Sequence, residues 1–408
     1  MTIRKGPLSG VRIIDLTQAH AGPFGTMLLG DLGAEIIKIE SPVGDILRFG
    51  HKKVSLKLYY TLALNRNKKS IVLDLGSELG KKAFYDLVKI SDVVISNNRA
   101  GVPTRQGTDF DTIKKVNPRI IRCNISGYGE RGPYADFPSY DIVACGHSGI
   151  LSISGEEGRP PVIPGGIALA DMSGGIFGAF SVLAALVKRS RDLKGMNVET
   201  NLLDCLLLFQ QTMFQHYYLT GKVPGPQGNK HFMVSPYGVY STKKGYITFG
   251  PSDTSKVIRI VGLERILKDE RFKDTESRIE NREAFDKLFE KALRKKTADE
   301  WIRIFRDEND IACGPVKNYD EVAVDPQVLH NNMIWEMEAG GEKYKTIGSV
   351  FKMPDEIEGT PDPPPDLGEH TCLILSDLLN YSEKQIKEIL AENEKALPRL
   401  KKSMKRIF

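Results

Sequence analysis

Cysteine is scarce: five residues in 408, at positions 123, 145, 205, 313 and 372, too widely spaced for a CxxC pair or a zinc knuckle. Their odd number argues against a disulfide framework, and a reducing cytoplasm is the expected compartment. The first strand-like run is not followed by GxGxxG, which removes the usual dinucleotide cradle, and no GxxxxGK[ST] occurs, which removes a P-loop NTPase. The histidines show neither HExxH nor HxxxH spacing, so no metal site is expected. Met1 to Gly10 lacks the apolar core of a secretory leader, and the longest apolar run, Ile176 to Val187, is shorter than a bilayer span. No membrane partner is expected.

What is present is an ordinary globular composition, 41% hydrophobic and 27% charged, long enough for two or three domains. The net charge of +5 is unevenly placed. Residues 1–200 hold 26 basic and 19 acidic side chains, whereas residues 201–408 hold 31 and 33. Within the first half, Ile46 to Leu73 contains Arg48, Lys52, Lys53, Lys57, Arg66, Lys68 and Lys69 and no acid. A nucleic-acid surface would need a more basic domain and a reading motif, so no nucleic-acid partner is expected. The basic stretch reads either as a solvated face or as an anion-binding rim.

Short β-branched runs alternate with amphipathic segments from Gly10 onward. Strands are predicted over Gly10–Leu16, Ala34–Glu40, Ser70–Leu75, Asp92–Asn97 and Arg119–Ser126, and helices over Gly22–Gly33, Ser77–Ile90 and Thr108–Val116. That alternation predicts an α/β fold with a doubly wound parallel sheet, whose ligands bind beyond the carboxyl ends of the strands. An apolar helix is expected across Ile176–Val187, and another over Asn201–Thr220. The Pro/Gly-rich stretch Val223–Gly228 then opens a smaller α+β domain, giving segments 1–222, 223–325 and 326–408. A charged terminal helix is predicted from Ser382, with Gln385 completing a capping box.

Asp171 stands before Ser173-Gly174-Gly175 and a long apolar helix. A carboxylate there either caps the helix or acts as a nucleophile whose small neighbours let substrate approach. Asp141, after Tyr140, is a turn residue or a neighbour of Asp171. His147-Ser148-Gly149 fails as a hydrolase elbow, because Ile150 stands where GxSxG needs glycine. His20 lies in the loop after the first strand, better placed for a ligand than the other histidines.

PLSGVRIIDLTQAHAGPFGTMLLGDLGAEIIKIE, GDILR, NRNKKSIVLDL, NPRIIRCNISGYGERGPY, YDIVACGHSG, ALADMSGG, IACGPV and DLGEHT together make the chain resemble the class III CoA-transferases. That family, CaiB/BaiF, includes formyl-CoA transferase, carnitine CoA-transferase and alpha-methylacyl-CoA racemase. The resemblance runs from Pro7 to about Glu394. It implies a CoA-transferase in which Asp171 is the nucleophile, with Tyr140, Asp141, Gly174 and Gly175 around it. Coenzyme A, a substrate and not a bound cofactor, would meet Gln18, Ala19, His20, Leu73, Asn97 and Arg105, with the basic stretch as an adjacent phosphate rim. Amides of the glycine-rich segments would stabilise oxyanions. The partners implied are an acyl-CoA donor, a carboxylate acceptor and a second copy of the chain in an interlocked homodimer, with residues 326–408 returning to the large domain.

Departures from the family pattern are specific. The usual E-N-F-R-P-G reads Ser96-Asn97-Asn98-Arg99-Ala100-Gly101, without its aromatic residue, and Cys145-Gly146 replaces a glutamine-alanine pair. The glycine-run lid of formyl-CoA transferase is not evident around Met233–Gly238, which does not support formate as substrate. A racemase would use histidine immediately before the YD-type aspartate; Tyr140 stands there, a poor base near neutral pH. A CoA-binding protein without catalysis is the third reading, opposed by Asp171 and its glycines.

Overall fold

A computed structural model of the chain describes residues 5–48, 56–163, 165–250, 253–339, 341–353 and 355–404. Strands and helices alternate through the first half: β1 (Arg12–Asp15), α1 (Ala21–Asp31), β2 (Glu35–Glu40), α2 (Leu56–Leu64), β3 (Lys68–Val72), α3 (Glu78–Lys89) and β4 (Val93–Ser96). Then follow α4 (Val102–Gln106), α5 (Phe110–Val116), β5 (Ile121–Ser126), α6 (Asp141–His147), α7 (Leu169–Asp192) and β6 (Met196–Asn201). The six strands form one parallel sheet in the order β3-β2-β1-β4-β5-β6. The central strands are runs of Ile and Val buried on both faces, as a helix-covered parallel sheet requires. Strand order reverses between β1 and β4, so the loops leaving their carboxyl ends diverge where open α/β sheets take their ligands.

The sheet's first face packs Ile14, Ile37 and Ile71 against Phe84 and Leu87 of α3, and against Ile374, Leu375 and Ile389 from the end of the chain. The DLGEHT segment also closes the free edge of β3. His370 N donates to Ser70 O (2.9 Å), Ser70 N to His370 Nδ1 (3.3 Å), Gly368 N to Ser70 Oγ (2.9 Å) and Val72 N to Thr371 Oγ1 (3.1 Å). An unpaired strand edge is thereby satisfied by a segment three hundred residues away in sequence.

α7 lies between α1 on one side and β5, β6 and α8 (Leu202–Phe209) on the other. The approach is backbone to backbone. A Cβ on Gly175 would lie 2.5 Å from Ala21 O, and one on Gly25 would lie 2.7 Å from Gly175 O. Gly174 and Gly178 are filled on the far side by Leu202 and Ile125, each 2.6 Å from the missing Cβ.

The chain divides into two compact units. The first comprises residues 1–150, 165–212 and 331–408; the second comprises 151–164 and 213–330. The second holds an antiparallel sheet of β7 (Gly238–Ser241), β8 (Tyr246–Phe249) and β9 (Cys313–Pro315). With it are α9 (Gln211–Thr220), in which the division falls, α10 (Thr254–Ile260), α11 (Thr275–Glu280), α12 (Arg282–Leu293) and α13 (Ala298–Ile302). Its core is aromatic, built from Tyr240, Phe249, Phe285, Phe289, Trp301 and Phe305. The expected boundaries at 223 and 325 differ from this division because the Pro/Gly-rich stretch marks a bend within the second unit, whose contacts begin earlier.

Three expectations are corrected. The helix predicted over Asn201–Thr220 breaks at Gln210, whose side-chain amide donates to Ser148 O (3.1 Å) and Leu206 O (3.0 Å). β6 was not anticipated: as an edge strand it alternates half-buried with exposed residues and has no apolar run. The apolar run of α7 extends into a 24-residue helix that by length and composition is apolar enough to cross a membrane. Its small-residue face is instead occupied by α1, Ile125 and Leu202.

Replacing Gly175 by alanine is expected to cost about 1–3 kcal/mol, because backbone and not a flexible side chain must yield. Urea unfolding of the variant measures this; a loss under about 0.5 kcal/mol would contradict the packing described.

Candidate active site

The loop leaving β1, Thr17 to His20, is anchored from beneath by buried charge. Asp15, fully buried, accepts from Thr17 N (2.8 Å), from the Thr17 and Thr26 hydroxyls and from Lys68 Nζ (3.1 Å). Lys68 also donates to Pro23 O and Asn65 Oδ1 (both 2.9 Å). Lys38 Nζ donates to Thr17 O (2.7 Å) and pairs with Asp45 (3.3 Å), which in turn accepts from Ala19 N (3.1 Å). Burial pushes the Asp15 carboxyl up, but Lys38, Lys68 and the two hydroxyls outweigh it and hold the group well below the carboxylate range. Burial pulls the Lys68 ammonium down to about 8 against the attraction of Asp15. Ala19 is thus held at φ +60°, a left-handed conformation that needs such over-determination. Sequence reasoning passed over Asp15, Lys38 and Asp45, although the first two are charges inside otherwise apolar strands.

Gln18 and Asn97 join the loops at the two sides of the strand-order reversal. Asn97 Oδ1 accepts from Gln18 N (2.9 Å), and Asn97 Nδ2 donates to Gln18 O (2.7 Å). Arg105, in α4, is exposed, as is Arg99 of the preceding loop, and neither makes an ion pair among the described residues. Leu73 is a core residue, 1% exposed, so its side chain is closed to a ligand. Among the described residues of the basic stretch, the cations are committed to ion pairs. Arg48 pairs with Glu40, Arg66 with Asp31 (both 2.6 Å), Lys68 with Asp15 and Lys69 with Glu35 (2.6 Å). Lys52, Lys53 and the side chain of Lys57 lie outside the described residues. Positive charge free to meet phosphates is found instead at Arg99 and Arg105, the former recognisable only as a basic residue with no nearby acid.

Asp171 occupies the first turn of α7 but does not cap it. The helix N-cap is Ala168, and the acceptor comes from α6: Asp141 Oδ1 receives Ala170 N (2.6 Å) and Asp171 N (3.2 Å). Burial, then the neighbouring charge of Asp141, pushes the Asp171 carboxyl up to about 7. Asp141 also acts on His20, the residue before α1: burial lowers the His20 pKa and Asp141 raises it in part. Its ring meets that of Tyr60 edge-on at 5.8 Å. Tyr140, at the start of α6, is exposed. Gly174 and Gly175 are buried against Leu202 and Ile125, and against α1, so their missing side chains make room for protein and not for substrate. The Ala170 and Asp171 amides offer no oxyanion site, since Asp141 already holds both. Among the described residues no cluster of His, Cys, Asp and Glu could hold a metal ion.

The sequence model of CoA-transferase family III matches residues 8–371. The chain is 34% identical to succinyl-CoA:glutarate CoA-transferase of Homo sapiens, over 94% of this chain and 89% of that one. It is 36% identical to acetyl-CoA:oxalate CoA-transferase of Acetobacter aceti, over 83% and 87%. The crystal structure of a CaiB/BaiF family protein from Brucella suis superposes with a TM-score of 0.80 at 30% identity, covering 92% of this chain and all of that one.

Removing the carboxylate from Asp15 leaves Lys68 buried without its charge partner. Asp15→Ala is expected to lower stability by about 3–5 kcal/mol. Chemical denaturation provides the measurement, and a change within experimental scatter would show that the network does not hold the loop.

Proposed function

The chain belongs to CoA-transferase family III and is a CoA-transferase, and from that premise we propose that it moves CoA between dicarboxylic acids with Asp171 as nucleophile. The observation that carries this reading is the Asp171 carboxyl, half-buried at the start of α7 and pushed up to about 7 beside Asp141, the carboxylate that also acts on His20 at the end of the β1 loop. The dicarboxylate class rests on the relatives, which are named for succinyl-CoA, glutarate and oxalate.

The ionised Asp171 attacks the donor thioester carbonyl, releasing CoA thiolate and leaving an aspartyl-acyl anhydride. The thiolate attacks the aspartyl carbonyl, which frees the donor acid and forms an aspartyl-CoA thioester. The acceptor carboxylate displaces thiolate to give a second anhydride, and the thiolate returns to the acceptor's carbonyl, restoring Asp171. Bonds and charges balance without a resident cofactor or metal. Burial suits the intermediates, because anhydride and thioester would otherwise be lost to water. Arg99 and Arg105, exposed beside the Gln18–Asn97 junction, supply cationic groups for the CoA phosphates.

The functional unit proposed is a homodimer. Ile176, Phe180 and Val187 form an exposed apolar stripe along α7, with Ile142 and Val143 exposed on α6, and a second copy of the chain would cover them. The free cysteines suit a reducing cytoplasm.

A screen of succinyl-CoA against carboxylic acids of increasing length, read by mass spectrometry, should give exchange with dicarboxylic acceptors and little with monocarboxylic ones. Exchange confined to monocarboxylic acids would overturn the substrate class. Asp171→Ala is expected to cut exchange about 10³-fold or more while retaining the folded state. Full exchange by that variant would remove Asp171 from the mechanism, and α-epimerisation without exchange would favour the racemase reading.

A further inference from the structure

We propose that Asp141 is a positioning residue for the transfer reaction: by occupying the first-turn amides of α7, it denies them to Asp171 and keeps that carboxylate basic and reactive. The inference rests on the reading of Asp171 as nucleophile. A carboxylate in the first turn of a helix is ordinarily stabilised by the free amides and the positive end of the dipole. That stabilisation lowers its pKa, and a less basic carboxylate is a weaker nucleophile. In α7 the N-cap residue Ala168 provides no side-chain acceptor. The acceptor is delivered from α6, with Asp141 Oδ1 2.6 Å from Ala170 N and 3.2 Å from Asp171 N. Two carboxylates therefore share one helix start, and the one that holds the amides is not the one proposed to react.

Other charged groups around α7 are committed elsewhere. On β5, Arg122 pairs with Glu130 (2.6 Å); on β6, Glu199 accepts from Glu130 N (3.4 Å); at the start of α8, Asp204 accepts from Asn201 Nδ2 (2.7 Å). Burial holds the thiols of Cys123 and Cys205 above their ordinary range, so both stay neutral. His20, the residue before α1, has its pKa lowered by burial. On α6 itself, the Cys145 thiol sits 4.0 Å from Asp141 Oδ2, and burial, together with Asp141, keeps it protonated. Asp141 is the neighbouring charge that raises the Asp171 pKa, after burial.

The test is the pH–rate profile of CoA exchange in the wild type and in Asp141→Asn, which removes the charge but retains an amide-accepting oxygen. The wild-type acid limb is expected to have its midpoint near 7. In Asp141→Asn the midpoint should fall by a unit or more, and the plateau rate above pH 8.5, where Asp171 is ionised in both proteins, should drop about tenfold with the loss of basicity. An acid limb and plateau unchanged in Asp141→Asn, while Asp171→Ala is inactive, would overturn the role of Asp141. Retained exchange in Asp171→Ala would instead sink the nucleophile reading on which it rests. Should Asp141→Asn fail to fold, carbon-13 NMR of the wild type decides. The carboxyl resonance missing from Asp171→Asn should titrate near 7, and a midpoint below 5 would refute the inference.

Discussion

Gly25 and Gly175 let the backbones of α1 and α7 touch, and the geometry of the site follows from that contact. α1 is preceded by the loop of β1, and α7 begins at Leu169 with Asp171 as its third residue. Pressing the two helices together fixes where His20 stands relative to the Asp141–Asp171 pair, close enough for Asp141 to act on the His20 ring. A side chain at either glycine would have to push a carbonyl oxygen away, so these small residues set the distance between α1 and α7.

Buried charge does the complementary job on the loop. Asp15, Lys38, Asp45 and Lys68 are expensive to desolvate, and hydrophobic residues of the same volume would stabilise the fold as well or better. What ion pairs provide here is direction: each of the four side chains makes a hydrogen bond to a particular backbone group of Thr17, Ala19 or Pro23. The loop enters the region of the strand-order reversal already shaped, with Ala19 in a left-handed conformation and Gln18 tied to Asn97. A preshaped loop loses less conformational freedom when it meets a ligand.

Much of the architecture was legible because its signals are local. Ser77 accepts from Gly80 N as its position before α3 implies, and Ser382 with Gln385 caps the terminal helix. β-branched runs separated by helical segments led directly to the parallel sheet. The remainder depends on pairs remote in sequence. An acid-free run from 46 to 73 gave no hint that Arg48, Arg66, Lys68 and Lys69 are answered by Glu40, Asp31, Asp15 and Glu35; parallel pairing of β2 with β3 helps bring Lys69 to Glu35. From spacing alone Asp171 looked more like a cap than a nucleophile, since the carboxylate that holds the helix amides, Asp141, comes from thirty residues upstream. The resemblance to a family singled out Asp171, and the structure shows that the amides of Ala170 and of Asp171 itself are held by Asp141.

The central claim is that oxygen passes through the Asp171 carboxylate during transfer. Turnover with an acceptor acid labelled with oxygen-18 in both carboxylate positions tests it most directly, because the bridging oxygen of the second anhydride stays with the aspartate when thiolate returns to the acceptor. The account predicts that each pass replaces one oxygen of Asp171 by heavy oxygen, so that the peptide containing it approaches two labelled atoms with turnover, and that no other carboxylate is labelled. An unlabelled Asp171 after many turnovers, or label on a different residue, would contradict it.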